Sequence, residues 1–389
     1  MCMAPAVPAE RLELAASCLF GLEGPLANEL RHMGMEDVAP ENGRVRFTTD
    51  KAGIARANLR SRFAERILLL LGSFKAGSFD ELFEGVRALP LEDWLGRDAA
   101  FPVEGWSVDS ALHSVPDCQR IIKKAAAVRL GSRYALAHMP ETGAEHKIRF
   151  SILKDECRIY LDTSGTALHK RGYRPAHNAA PLRETLAAAI VDVSGYRGRG
   201  ELCDPFCGSG TIAIEAALAA KGRAPGINRR FAAERWPAMP GEVWQFERES
   251  ARAREYSGDY RIYASDTDPA AVRLARENAR RAGVEQYIDF SVADARGFGR
   301  RTENGVIVTN PPYGERLMEK RAAQELLRDF GGAWRENGMW RLSLLTSDEQ
   351  AESLLGCRAD KRRKLYNGMI KCTLFMFSER EKGKAGQNK

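Results

Sequence analysis

The chain has 389 residues, 44% of them hydrophobic and 29% charged, with a formal net charge of +7. That length predicts two or three domains, each able to bury its own core, and 35 glycines with 17 prolines are too few for a fibrous or disordered chain. The aliphatic run Ile67 to Leu71 falls far short of the about 20 residues that span a bilayer, and no basic stretch followed by an apolar one opens the chain, so membrane and secreted classes are not expected.

Residues 1–70 read as a small β-α-β-β-type domain. Leu12 to Phe20 fits a strand, Pro25 to Met33 a helix with Leu26, Leu30 and Met33 on one side, Arg44 to Thr48 a strand, and Ile54 to Leu59 with Phe63 another helix. A second α/β module is expected over residues 71–162, with a helix from Pro116 to Gly131 and strands near His146 to Ile152 and Glu156 to Leu161. Residues 163–180, rich in small and basic residues, read as a linker. From Pro181 the pattern becomes long helices between short apolar strands, ending near residue 380. The helices are Pro181 to Val193, Thr211 to Lys221, Pro269 to Ala282 and Arg321 to Trp334; the strands are Leu202 to Pro205, Arg261 to Ala264, Ile288 to Val292, Val306 to Thr309 and Trp340 to Thr346. Such alternation predicts a mostly parallel sheet with ligands at the carboxyl ends of its strands.

Charge and cysteines narrow the class. Residues 1–165 carry a net charge of −2 and the remaining 224 a net of +9. The excess lies in clusters at Lys170, Arg171 and Arg174, at Lys221 to Arg235, and at Arg358 to Lys364, which either attract polyanions or form a solvated face. The tail from Lys382 to Lys389 is expected to fray. Eight dispersed cysteines with no C-x-x-C repeat predict reduced thiols in a cytoplasmic protein, with neither a zinc site nor a disulfide framework.

Four motifs carry chemistry. Asp204-Pro-Phe-Cys-Gly208-Ser-Gly210-Thr211 follows a strand and opens a helix, so its glycines let backbone approach a ligand at a helix N-terminus. In Ser265-Asp266-Thr267-Asp268-Pro269, Asp266 suits the two hydroxyls of a ribose and Asp268 suits a helix cap. Asp294, at a third strand end, suits an adenine amino group or a turn. Three such strand ends describe a bound nucleoside. The fourth and most specific motif is Asn310-Pro311-Pro312-Tyr313. The Asn310 side-chain oxygen and the Pro311 carbonyl can both accept from one exocyclic amine, localising its lone pair for attack on an electrophilic methyl. Tyr313 offers a flat face for a base. The amine can shed its proton after attack, so no catalytic His or Cys is required.

These motifs, in this order, resemble class I S-adenosylmethionine-dependent amino-methyltransferases. His169-Lys-Arg-Gly-Tyr173-Arg174, Ala180-Pro-Leu-Arg-Glu184, Ala224-Pro-Gly-Ile-Asn-Arg229, the Trp236 region and Lys364-Leu-Tyr366-Asn367-Gly368 resemble the bacterial 23S rRNA guanine-N2-methyltransferases. Ser110-Ala-Leu112-His-Ser114 through Gln119, with Lys123-Lys124-Ala125, resembles a THUMP RNA-binding domain. The resemblance implies an α/β chain with a ferredoxin-like domain over 1–70, a THUMP domain over 71–162, and a Rossmann-like methyltransferase domain with a mostly parallel seven-stranded sheet over 181–380. It implies S-adenosylmethionine as cofactor and no metal. Asp204, Gly208 and Gly210 would lie against its methionine part, Asp266 the ribose and Asp294 the adenine, with Asn310, Pro311 and Tyr313 holding the target base. The larger family members carry a second methyltransferase half, so the single-enzyme form is expected here.

The expected substrate is a guanine N2 in 23S rRNA, with tRNA as the nearest rival. DNA adenine methylation, protein glutamine methylation and a non-catalytic RNA-binding factor are further alternatives. Because residues 1–165 are slightly acidic, RNA binding there needs a local face. Arg120, Lys123, Lys124 and Arg129 on one helix are the candidates, or else a solvated stripe, and Lys170, Arg171 and Arg174 would add phosphate contacts.

Overall fold

The computed structural model describes residues 11–174, 182–299, 302–303, 305–312, 317–337, 340–368 and 370–378. Tyr313, Cys2, the last part of the linker and the tail lie outside the described residues. The chain forms two compact units.

The first unit takes the described residues of Met1–Cys18, Leu26–Leu168 and Arg229–Ser250. Its elements run β1 (Leu12–Ser17), α1 (Glu23–His32), β2 (Glu36–Glu41), β3 (Arg44–Thr49), α2 (Lys51–Arg60), β4 (Arg66–Lys75), α3 (Phe79–Ala88), β5 (Val103–Val108), α4 (Val115–Tyr134), β6 (Ile148–Leu153) and β7 (Glu156–Asp162). Asp50 caps α2 by accepting from Gly53 N, and Ser78 with Glu81 forms a capping box on α3. One seven-stranded sheet results, in the order β2-β3-β1-β4-β7-β6-β5. Both expected modules share it, because β4 pairs with β1 along one edge and with β7 along the other. Register puts Leu14 opposite Phe47 and Leu69, and Leu69 opposite Leu161, giving one apolar, fully buried face. The opposite face carries Arg44, Arg46, Arg66, Arg149 and Arg158, each beside Glu41, Glu104, Glu156 or Asp162.

The second unit comprises Leu19–Pro25, His169–Asn228 and the described part of Ala251–Lys389. The chain continues with α5 (Glu184–Val193), β8 (Glu201–Asp204), α6 (Thr211–Lys221), α7 (Gly241–Ala253), β9 (Arg261–Asp266), α8 (Pro269–Ala282), β10 (Ile288–Val292), β11 (Gly305–Thr309), α9 (Leu317–Glu336), β12 (Arg341–Thr346), α10 (Ala351–Leu355), β13 (Lys361–Asn367) and β14 (Ile370–Phe377). The sheet order is β10-β9-β8-β11-β12-β14-β13, parallel from β10 to β12, with β14 antiparallel to both its neighbours. Strand order reverses between β8 and β11, and in such sheets the ligand crevice opens outside the strand ends at that point. Among the described residues no helix is long and apolar enough to cross a membrane.

The helix α7 and the hairpin β13–β14 were not expected from the sequence. Segment Arg229–Ser250, which carries most of α7, packs in the first unit. Trp236 stacks on His146 at 4.8 Å and donates from Nε1 to the Glu145 carbonyl at 2.9 Å, while Arg229 donates to the carbonyls of Thr166, Ala167 and Leu168.

Candidate active site

Asp204 ends β8 and Thr309 ends β11, side by side at the reversal of strand order. Both are buried, and the Thr309 hydroxyl donates to Asp204 Oδ1 at 2.7 Å. This bond ties the two strand ends together, and Asn310 follows directly after Thr309. Burial pushes the Asp204 carboxyl up to about 7, against the hydrogen bonds from Thr309 and the Phe206 amide. A folded-state value above the ordinary 3.8 means that the folded protein keeps a proton the unfolded chain has lost. This contribution is therefore fully present below 3.8 and lost as pH rises through about 7. Thermal unfolding across pH should show the wild type losing stability relative to Asp204→Asn over that window and running parallel to it above. Parallel profiles throughout would remove the assignment.

The loop after β8 is built around its two glycines. Gly208 has φ 49°, and a Cβ there would meet nothing within 4 Å, so its outer side is open. Gly210 has φ 81°, and a Cβ there would press on Ala275 Cβ at 2.9 Å, so it allows α6 to start against α8. Asn278, fully buried on α8, donates to the Ser209 carbonyl at 3.0 Å. The sequence reading missed Asn278. Its signal was an amide on the apolar stripe of Val272, Ala275, Ala279 and Ala282.

Asp266, at the end of β9, accepts from Gly208 N at 2.9 Å and from Asp268 N at 3.0 Å. Each oxygen thus uses one acceptor site, and a carboxylate has about four, leaving capacity for two hydroxyls. Asp268 caps α8 by accepting from Ala270 N at 2.8 Å. Asp294 caps a short turn through Arg296 N and pairs with the Arg296 guanidinium, which holds its carboxyl below the usual range. Asn310 is half-buried and Pro311 buried, directly after β11. The structure thus brings Asp204, Gly208, Gly210, Asp266 and Asn310 to one edge of one sheet. The open side of Gly208 and the spare acceptor sites of Asp266 fit S-adenosylmethionine, the methyl donor of class I methyltransferases.

The basic residues stand differently from expectation. Arg171 is 5% exposed and faces Glu215 at 3.6 Å, and Tyr173 donates to the same carboxylate at 3.1 Å. Arg174 pairs with Glu184 at 2.5 Å and reaches Thr211 Oγ1 at 3.3 Å, at the start of α6. These two side chains are internal ties, because α5 and α6 present acids to them; only Lys170 of that cluster is exposed. On α4, Lys123 pairs with Glu141 and Arg129 with Glu92, both half-buried. Arg120 pairs with Asp117 at the surface, and Lys124, exposed, lies 5.7 Å from the Phe83 ring.

Comparison with known proteins gives the family and the domain order. Residues 171–375 match a family model described as the RMKL-like methyltransferase domain, 13–68 an RlmL ferredoxin-like domain, and 76–162 a THUMP domain. The chain is 44% identical to YpsC of Bacillus subtilis, a candidate RNA methyltransferase, over 95% of this chain and 96% of that one. It is 37% identical to the ribosomal RNA large subunit methyltransferase K/L of Psychromonas ingrahamii, over 91% of this chain and 48% of that protein. The chain therefore spans about half the length of the K/L methyltransferases it matches. Among solved structures, a Listeria monocytogenes protein described as a predicted N6-adenine-specific DNA methylase aligns with a TM-score of 0.91 at 43% identity, over 95% of this chain and 97% of that one. The methyltransferase candidate SMU.472, complexed with S-adenosylhomocysteine, aligns with a TM-score of 0.91 at 39% identity, over 96% of this chain and 99% of that one. The chain belongs to the RMKL-like methyltransferase family, with a ferredoxin-like and a THUMP domain ahead of its class I methyltransferase domain.

Proposed function

We propose that the protein methylates the exocyclic N2 of a guanine in RNA, and that the RNA is 23S rRNA. The observation that carries the reading is the placement of Asn310 and Pro311 at the strand-order reversal, beside the carboxylates and glycines that suit a nucleoside. S-adenosylmethionine bound there would supply an electrophilic methyl group, with S-adenosylhomocysteine as the leaving group when the carbon–sulfur bond breaks. Asp266 would hold the ribose, Asp294 the adenine if Arg296 yields it, and Gly208 with Gly210 the approach of the methionine part. Asn310 Oδ1 and the Pro311 carbonyl would accept from the two hydrogens of the guanine amine, directing its lone pair along the line of attack. The proton is released to water after the N–C bond forms. A base inside a helix cannot reach such a site, so the guanine would be flipped out, with Tyr313 stacking on it.

The THUMP domain supports an RNA substrate, and the names of the K/L relatives support rRNA. The test is mass spectrometry of nucleosides from separated 23S rRNA and tRNA of a strain lacking the gene. Loss of N2-methylguanosine from 23S rRNA alone is expected. Loss from tRNA alone would move the substrate and keep the mechanism. Unchanged N2-methylguanosine in both pools, with loss of N6-methyladenine from DNA, would overturn the reading in favour of the activity ascribed to the Listeria protein.

A further inference from the structure

Whereas the arginines on the face of the first sheet opposite its apolar one stand beside acids, two lysines of the second unit pair with none among the described residues. The hairpin β13–β14 closes the second sheet, and its outer strand reads Lys361-Arg362-Arg363-Lys364-Leu365-Tyr366-Asn367, of which only Leu365 is buried. Pairing across the hairpin sets Lys364 opposite Thr373 and Tyr366 opposite Lys371. Lys364, Tyr366 and Lys371 therefore share one face. Arg362 on that face is held by Glu352, whereas Lys364 and Lys371 are exposed and pair with no acid among the described residues.

An exposed aromatic pair lies with them. Tyr366 (36% exposed) meets Phe20 (58% exposed) edge to face, with ring centroids 6.3 Å apart. Phe20 comes from the segment Leu19–Pro25, part of the same unit. Gly21 makes the approach possible: its φ is 89°, and a Cβ there would sit 2.8 Å from the Lys364 carbonyl oxygen. Two exposed rings in contact, beside ammonium groups that pair with no acid among the described residues, have the make-up of an interaction surface.

The position selects the occupant. Strand β13 runs parallel to β12, because both are antiparallel to β14. Its carboxyl end, with Tyr366, thus lies on the same edge of the sheet as the ends of β8, β9 and β11. Three strand spacings separate β11 from β13, or about 14 Å, the length of roughly four stacked nucleotides. That is too far for the target base and suits its neighbours on the strand. Flipping a base out unstacks those neighbours, and aromatic side chains replace the lost stacking.

We propose that Phe20 and Tyr366, flanked by Lys364 and Lys371, form a platform for single-stranded RNA beside the target guanine, the rings stacking on bases and the ammonium groups meeting phosphates. This rests on the RNA reading above. The test uses the full chain, a fluorescein-labelled single-stranded RNA oligonucleotide, and anisotropy titrations over a range of salt. The Lys364→Glu/Lys371→Glu variant is expected to bind about 10-fold more weakly or worse, with the slope of log affinity against log salt reduced by about 1.4. Phe20→Ala/Tyr366→Ala should also lose about 10-fold, with the slope unchanged, and Tyr366→Phe should bind as the wild type does. Thermal unfolding and S-adenosylhomocysteine affinity report that the variants are folded. Wild-type affinity and slope in the lysine variant overturn the platform, and wild-type affinity in the aromatic variant overturns the stacking. Methylation of unmodified 23S rRNA by the wild type separates the two levels: if the wild type neither binds nor methylates RNA, the RNA reading itself has failed.

Discussion

Asn310→Ala is expected to lower methyl transfer by about 100-fold or more while S-adenosylhomocysteine binds nearly as tightly as to the wild type. The exocyclic amine of guanine is a poor nucleophile because its lone pair is delocalised into the ring. In the proposed site two acceptors, one on each N–H, would favour the tetrahedral geometry and positive charge that develop during attack. Held in place before the reaction, they would cost no reorganisation during it. The variant loses one acceptor and keeps the Pro311 carbonyl, so a residual rate should survive. Position explains the selectivity: Asn310 follows β11, whereas Asp266 and Gly208 belong to the ends of β9 and β8. Asp266→Ala should show the reverse pattern, weakening S-adenosylhomocysteine first, because it removes both the spare acceptor sites and the partner of the Gly208 amide. Calorimetric titration with S-adenosylhomocysteine and single-turnover transfer measure the two effects separately. Equal loss of both in Asn310→Ala would show that the side chain shapes the cofactor cleft and would sink the acceptor role.

The parts of this site that could be read from the sequence are those where local geometry alone demands the residue. Glycines at positive φ after a strand, an acid at a strand end and a proline-stiffened turn mean the same thing in any parallel sheet. What depends on partners distant in the chain could not be read. The cluster of Lys170, Arg171 and Arg174 has the composition of a phosphate-binding patch, yet Glu215 and Glu184, set on two helices, take two of its three cations inward. The α4 stripe misleads in the same way, because Glu92 and Glu141 lie 37 and 18 residues away from their partners. Conversely, β13 looks like a solvated charge run. An edge strand with one face open needs a single buried side chain, Leu365, and a period-2 pattern cannot be seen in one residue.

Glu247→Ala is expected to cost about 3–5 kcal/mol in the first unit. Glu247, on α7, is 1% exposed and faces α2, where Arg56 and Arg60 are one turn apart on the same side. Its Oε1 accepts from Arg56 Nε at 3.1 Å and Nη2 at 2.8 Å, and its Oε2 accepts from Arg60 Nη2 at 3.1 Å. Removing the carboxylate leaves two guanidinium groups beside each other with no charge between them, which is worse than deleting the whole set. Arg60→Ala in the Glu247→Ala background should therefore cost less than it does alone, and the double-mutant cycle measures the coupling. At roughly 2–4 °C per kcal/mol, the transition should fall by about 10 °C. Scanning calorimetry with and without S-adenosylhomocysteine identifies which transition moves, since the ligand raises only the unit that binds it. Movement of the ligand-insensitive transition places Arg229–Ser250 energetically in the first unit, although the methyltransferase family match spans that segment. A shift of the ligand-sensitive transition alone would mean that α7 is held by the second unit and that the Arg56–Glu247–Arg60 set contributes little.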